Sequence, residues 1–241
     1  MAQGFKSPAS ASIMVVMTTT VAPGRVKRVG HKGAGQLAPG NTVASFDAAL
    51  EAGVDVIEFD VLRRRGRLVL AHSAFDGRRH RCLTLAEGLE CLASERFDGV
   101  LFNVDLKRPG YEAQTVDMLR AAGVLDRCLF SSQFARCLDR VKKVEPSARV
   151  GISVGGWLSR RRHRWNRRVM PRIQAAIESG RFDCLMAHHR LVDTELVARM
   201  TACGGEVYAW TVDSQVAMDR LLLLGVAGIT TNDPRLFRTF T

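Results

Sequence analysis

Strand-like and helix-like segments alternate from Val26 to the end of the chain, and nothing else in the sequence restricts its fold as strongly. Candidate strands fall at residues 26–30, 56–61, 100–105, 128–131, 149–153, 184–187, 207–211 and 228–231, with a return arm at 68–72 as an extra. Helical patterns lie between them, at 42–52, 84–93, 113–122, 135–144, 172–179, 193–203 and 214–224. The clearest has Val43, Phe46, Ala49 and Leu50 at helical spacing, with Asn41 as its expected N-cap and Gly53 as its stop. Alternating units of this kind call for a parallel sheet. About eight of them in 241 residues predict a single-domain α/β fold, a (β/α)8 TIM-type barrel. A doubly wound open sheet is the alternative, but no glycine-rich phosphate loop follows the first strand.

The apolar fraction of 46% supplies a large core, and no apolar run reaches the roughly 18 residues that would span a bilayer. The six cysteines show no CxxC spacing and are expected as free thiols of a reducing, cytoplasmic setting. Residues 1–24 read as a disordered leader or a mis-called start, with Met14 or Met17 as alternative first residues. The barrel is expected over 25–241. The net charge is +11, and Arg160, Arg161, Arg162, Arg164, Arg167, Arg168 and Arg172 crowd one segment with Trp157 and Trp165. Such a cluster either faces water or makes peripheral contact with anionic membrane at its inner face. Without a recognised nucleic-acid module, no nucleic-acid partner is expected.

Chemistry concentrates at the C-terminal ends of the predicted strands, where a barrel builds its active site. In Val56-Ile57-Glu58-Phe59-Asp60-Val61, the alternation puts Glu58 and Asp60 on one face. A turn at Arg65-Gly66 would bring His72 back toward them. The first strand runs into His31-Lys32, and Asn103, Asp105 and Lys107 share a face of another strand. Glu58, Asp60 and Asp105 offer three oxygen ligands without a cysteine, a set suited to one hard divalent cation, Mg²⁺ or Ca²⁺. His31 and His72 are candidate general acid and base, and Lys32 and Lys107 supply charge for an anionic group. Together these groups suit a phosphodiester.

The ordered motifs His31-Lys32-Gly33-Ala34, Pro39-Gly40-Asn41-Thr42, Ile57-Glu58-Phe59-Asp60-Val61, Ala71-His72, Asn103-Val104-Asp105-Leu106-Lys107, Ser131-Ser132, Trp210-Thr211-Val212-Asp213 and Gly228-Ile229-Thr230-Thr231-Asn232-Asp233-Pro234 resemble those of the glycerophosphodiester phosphodiesterases. The resemblance runs from about Val26 to Phe237. It implies a barrel like that of phosphoinositide phospholipase C and metal-dependent cleavage of glycerophosphodiesters to sn-glycerol 3-phosphate and an alcohol. It also implies His31 and His72 as catalytic histidines, Glu58, Asp60 and Asp105 as metal ligands, and Lys32, Lys107 and Trp210 as substrate contacts. A lysophospholipid substrate at the membrane surface, or a phosphodiester-binding barrel with little turnover, are the alternatives.

Four positions depart from the family pattern. Lys32 stands for the usual Arg, Gly40 for Glu, Ser73 for Asp, and Asp105 for Glu. A lysine loses the bidentate fork of arginine, and an aspartate reaches one methylene less far. The departures bear on efficiency and substrate choice.

Overall fold

The computed structural model describes residues 25–73, 75–76, 81–155 and 168–239. The expected leader at 1–24 lies outside the described residues, as does most of the arginine cluster, including Trp157 and Trp165. Of that cluster, Arg168 and Arg172 are described, and both are exposed. No helix among the described residues is long and apolar enough to cross a membrane.

Nine strands form: β1 Lys27–Gly30, β2 Val56–Arg64, β3 Arg67–Leu70, β4 Leu101–Leu106, β5 Cys128–Ser132, β6 Arg149–Val154, β7 Cys184–His188, β8 Glu206–Trp210 and β9 Gly228–Thr231. Eight of them pair in parallel in the order β1-β9-β8-β7-β6-β5-β4-β2, and β2 pairs with β1 to close the barrel. The remaining strand, β3, lies outside the ring and pairs antiparallel with the far half of β2. The return arm is thus a hairpin arm. Arg65 and Gly66 both adopt positive φ, 48° and 78°, the conformation that a two-residue hairpin turn requires.

Between strands run α1 Val43–Glu51, α2 Leu85–Leu92, α3 Glu112–Ala121, α4 Ala135–Val144, α5 Met170–Glu178, α6 Thr194–Ala202 and α7 Gln215–Leu223. These match the helical patterns of the sequence to within two residues at their ends. The N-cap of α1 is a correction. Thr42, not Asn41, caps the helix, in a reciprocal box with Ser45. Asn41 is held at φ 61° and its side chain is spent elsewhere.

The two-residue period of the strands sorts side chains onto two faces. Outward residues such as Ile57, Phe59, Phe102 and Phe130 pack under the helices, with the Phe59 ring 6.3 Å from both Phe46 of α1 and Phe102 of β4. Inward, Val29, Val56, Leu129, Cys184, Met186 and Tyr208 fill the barrel. This interior plug leaves the polar inward residues of β2, β4, β5 and β9 stacked above it, at the C-terminal mouth.

At the opposite end, Asp55 staples β1 to the start of β2. It accepts hydrogen bonds from the Arg28 amide at 2.8 Å and from the Arg28 guanidinium at 3.0 and 2.9 Å. Burial works against ionising Asp55, but the bonds and charge of Arg28 outweigh it and hold the carboxyl below its ordinary value. A carboxyl depressed by folding contributes stability above its unfolded pKa, and that stability is lost as pH falls through the folded value. Asp55→Asn is therefore expected to cost about 1–3 kcal/mol at neutral pH in urea denaturation. The gap to the parent should narrow from about pH 5 downward. A gap unchanged into the acid range would contradict the assignment.

Candidate active site

The mouth of the barrel is built first by the loop after β1. His31 donates its amide to Thr231 O at 2.8 Å, which fixes it to the end of β9. Lys32 and Gly33 then adopt positive φ, 55° and 81°. Gly33 is required there, because a Cβ would lie 2.5 Å from the Ser45 carbonyl oxygen. The turn aims the Lys32 amide at Glu58 Oε2, 2.6 Å away. Left-handed backbone at a non-glycine residue is costly, and here it is overdetermined: Lys32 O accepts from both the Asn41 amide and the Ser45 hydroxyl.

Glu58 and Asp60 of β2 and Asp105 of β4 point into the barrel from neighbouring strands, with Asp60 and Asp105 in direct register. Each offers an oxygen within 4.8 Å of the others. Glu58 and Asp60 are buried, and Asp60 has no solvent exposure. The Asn41 side-chain Nδ2 donates to Asp60 Oδ2 at 2.8 Å, and Asn41 Oδ1 accepts from the Asp60 backbone amide at 3.0 Å. The Lys107 ammonium lies 2.5 Å from Asp60 Oδ1. Lys107 also pairs with Asp105 Oδ2.

Three acids, two of them buried and Asp105 half-buried, share one lysine, and their protonation reflects it. Burial pushes Glu58 well up, and the Asp60 charge adds to the push. Burial likewise leaves Asp105 raised, with Asp60 opposing Lys107. Asp60 bears a large burial cost, yet Lys107 and Lys32 bring it down to about 2. Burial opposes the charge of Lys107, but Asp105, Asp60 and Glu58 hold its pKa well above the ordinary lysine value. Full ionisation would put three negative charges against the one ammonium ion-paired with them, Lys107, and so leaves negative charge in excess there.

His31 is oriented from behind. Asp213, just past β8, accepts the Asn232 amide at 2.8 Å and its side-chain Nδ2 at 2.7 Å. That fixes Asn232 Oδ1 as the acceptor for His31 Nδ1–H, 2.6 Å away. His31 Nε2 is then the bare nitrogen, 4.0 Å from Glu58 Oε2. Burial first, and the Lys32 charge next, lower the His31 pKa to about 4. His72 enters from the hairpin arm, since the Ala71 amide donates to Asp60 O at 3.2 Å. Its own amide donates to Asp76 Oδ2 at 2.7 Å. Burial and the Lys107 charge lower the His72 pKa.

His31, Glu58, His72, Asp105, Lys107 and Trp210 line one open cavity of ≈ 640 Å³, with Asn103, Ser131, Ser153 and Thr230 at its base. Trp210 is fixed by its indole N–H, which donates to Met186 O at 2.9 Å. Asn103 Oδ1 is buried with no hydrogen-bond partner among the described residues, an open acceptor beside the acids. Lys32 acts on Asp60 and His31 by its charge, and its side chain lies over Gly40, where a Cβ would come 2.9 Å from Lys32 Cβ. Two of the departures therefore touch. Ser73 passes its hydroxyl to Asp76 Oδ1 at 2.6 Å, so a carboxylate does brace this loop, from three positions further on.

The structure thus brings His31, Glu58, Asp60, His72, Asp105, Lys107 and Trp210 together, whereas Lys32 reaches the site by its backbone amide and does not line the cavity. Sequence reasoning missed the supports: Asn41 behind Asp60, the Asp213–Asn232 relay behind His31, and Asp76 under His72. Asp213 and Asn232 stand in strand-end motifs, which was their available signal. Asn41 carried a helix-cap signature instead.

Residues 31–88 and 104–236 match the profile of the glycerophosphoryl diester phosphodiesterase family. A glycerophosphodiester phosphodiesterase of Caldanaerobacter subterraneus is 26% identical over 242 residues, covering 86% of this chain and 93% of the relative. A glycerophosphodiester phosphodiesterase structure from Thermotoga maritima superposes with a TM-score of 0.70 at 20% identity, over 90% of this chain and 99% of that one. A phosphodiesterase of Oleispira antarctica, solved in complex with the product sn-glycerol-3-phosphate, gives 0.65 at 21% identity over 88% and 95%. At such identities the solved structures speak to the fold alone, but the profile covers most of the chain and holds all six of His31, Glu58, Asp60, His72, Asp105 and Lys107: the chain belongs to the glycerophosphoryl diester phosphodiesterase family.

Proposed function

We propose that this chain hydrolyses glycerophosphodiesters to sn-glycerol 3-phosphate and an alcohol, using one divalent cation, Mg²⁺ or Ca²⁺. The observation that carries this is the acidic group Glu58, Asp60 and Asp105, with Glu58 and Asp105 lining one cavity with His31 and His72 and Asp60 buried beside them. The fit to a cation rests on three features of the site. The donors are all carboxylate oxygens, the choice of hard cations. Oxygens bound to one such ion lie within about 5 Å of one another, as these do. The negative charge in excess of Lys107 favours a bound cation. When bound, the ion supplies charge neutralisation at the phosphate and acidifies the nucleophile.

The chain's own residues do the rest. Lys107 and Lys32 add positive charge around the phosphoryl oxygens. The nucleophile, either water or the glycerol 2-hydroxyl, gives up a proton to one histidine, and the departing alkoxide gains one from the other; in the second case water must then attack the cyclic phosphate, its proton going to one histidine and the 2-oxygen regaining one from the other. His31 suits the accepting role, because Asn232 holds its Nδ1–H and leaves Nε2 bare. Ser131, Ser153, Thr230 and Asn103 face the same cavity and suit the hydroxyls of glycerol.

Phosphorus NMR of glycerophosphocholine and glycerophosphoinositol incubated with the protein and Mg²⁺ or Ca²⁺ tests this. The expected new signal is sn-glycerol 3-phosphate. Phosphocholine or phosphoinositol, from cleavage on the glycerol side, would contradict it.

A further inference from the structure

The cavity does not end at His72. A wider groove of ≈ 1070 Å³ shares His72, Asp105, Lys107 and Gln133 with it and runs out beside the β2–β3 hairpin. Its floor is apolar, with Leu62 and Leu106 buried and Phe134 half-buried. Its walls are cationic. Arg63 and Arg64 end β2, and Arg108 follows β4. The guanidinium groups of Arg108 and Arg136 lie 5.7 and 5.8 Å from the centre of the Phe134 ring. Arg63 rests near the Tyr111 ring and donates to Gln114, a neutral partner, at 3.1 Å.

Acidic groups near this groove are already engaged. Among the described residues that line it, the one acid is Asp105, which is paired with Lys107. Asp76, next to the lining residues Ser73 and Phe75, accepts from the His72 and Ser73 amides and the Ser73 hydroxyl.

This inference rests on the reading of the chain as a glycerophosphodiester hydrolase. In that reading the glycerol phosphate fills the deeper, hydroxyl-lined cavity, and the departing alcohol extends into the groove. We infer that the groove selects the leaving alcohol by charge, favouring a head group that carries an anion, such as a phosphorylated polyol, over cationic choline or ethanolamine. Guanidinium groups pair with phosphate through two parallel bonds, whereas they repel an ammonium. A quaternary ammonium would want an aromatic face. Around Phe134 the arginines already take that place, while Phe75, the groove's other phenylalanine, is exposed.

The test compares kcat/KM for glycerophosphoinositol 4-phosphate, glycerophosphoinositol and glycerophosphocholine. Three pairings of surface strength add up to a preference of about tenfold for the phosphorylated head group over choline. That preference should shrink as salt rises from about 0.02 to about 0.5 M, where exposed charges are screened. In Arg64→Glu/Arg108→Glu, the ratio of the two substrates should fall to parity or invert. The salt series on the parent protein stands in if that variant does not fold. Equal or faster turnover of the choline ester by the parent would overturn charge selection and leave the hydrolase reading intact. So would a preference indifferent to salt. Hydrolysis of none of the three would remove the hydrolase reading and this inference with it.

Discussion

His31→Ala and His72→Ala are each expected to lower kcat by about 10²–10⁴ while the barrel stays folded. Both rings enter the cavity from loops at the mouth, so removing them leaves the interior plug and the helix-facing layer unchanged. For His31 the effect extends behind the ring. Asn232 and Asp213 fix its tautomer, and Asn232→Ala should cost about 10–100-fold in kcat, the usual scale for a supporting partner. Steady-state kinetics on the three variants check this, with circular dichroism as the folding control. Near-normal kcat in both histidine variants would remove the proposed proton transfers.

Asp60→Ala is expected to abolish turnover and to destabilise the protein by about 3–5 kcal/mol. Asp60 is the most enclosed of the three acids and is tied to Asn41 on one side and Lys107 on the other. Deleting it leaves a buried ammonium with Asp105 as its ion-pair partner and strands the Asn41 amide. It also removes a ligand from the candidate cation site. A ligand that binds only the folded state stabilises by about 2.7 kcal/mol at a hundredfold excess over Kd. Mg²⁺ or Ca²⁺ should therefore raise the Tm of the parent and leave that of Asp60→Asn unmoved. A variant with parental stability and a parental Tm response to both ions would place the cation elsewhere.

Much of the mouth was legible in the sequence because it follows from short-range geometry. A strict two-residue period put Glu58 with Asp60, and Asn103 with Asp105 and Lys107. The Arg65-Gly66 turn returned His72 to Asp60, as expected. The eight parallel strands followed from eight alternating units. Most of what stayed hidden depends on contacts far apart in the chain, Asp76 under His72 being the local exception. His31 and Asn232 are 201 residues apart and meet because β1 and β9 are neighbours at barrel closure. Asn41 has the composition and position of a helix cap. Only the left-handed turn at residue 41 diverts its side chain to Asp60, and Thr42 takes the capping role. The Lys107 ammonium could also be read as a plain ion pair with Asp105, since no spacing rule brings Asp60 to the same nitrogen.

On the proposed function, the three acids hold a divalent cation during hydrolysis. The direct measurement is release of sn-glycerol 3-phosphate by chelator-stripped protein, before and after adding back Mg²⁺ or Ca²⁺. No release after stripping, full recovery on adding one of the ions, and no recovery in Asp60→Asn is the predicted result. Turnover that survives complete chelation would contradict the cation. Absence of turnover with either ion on every glycerophosphodiester would leave a barrel that binds phosphodiesters without cleaving them.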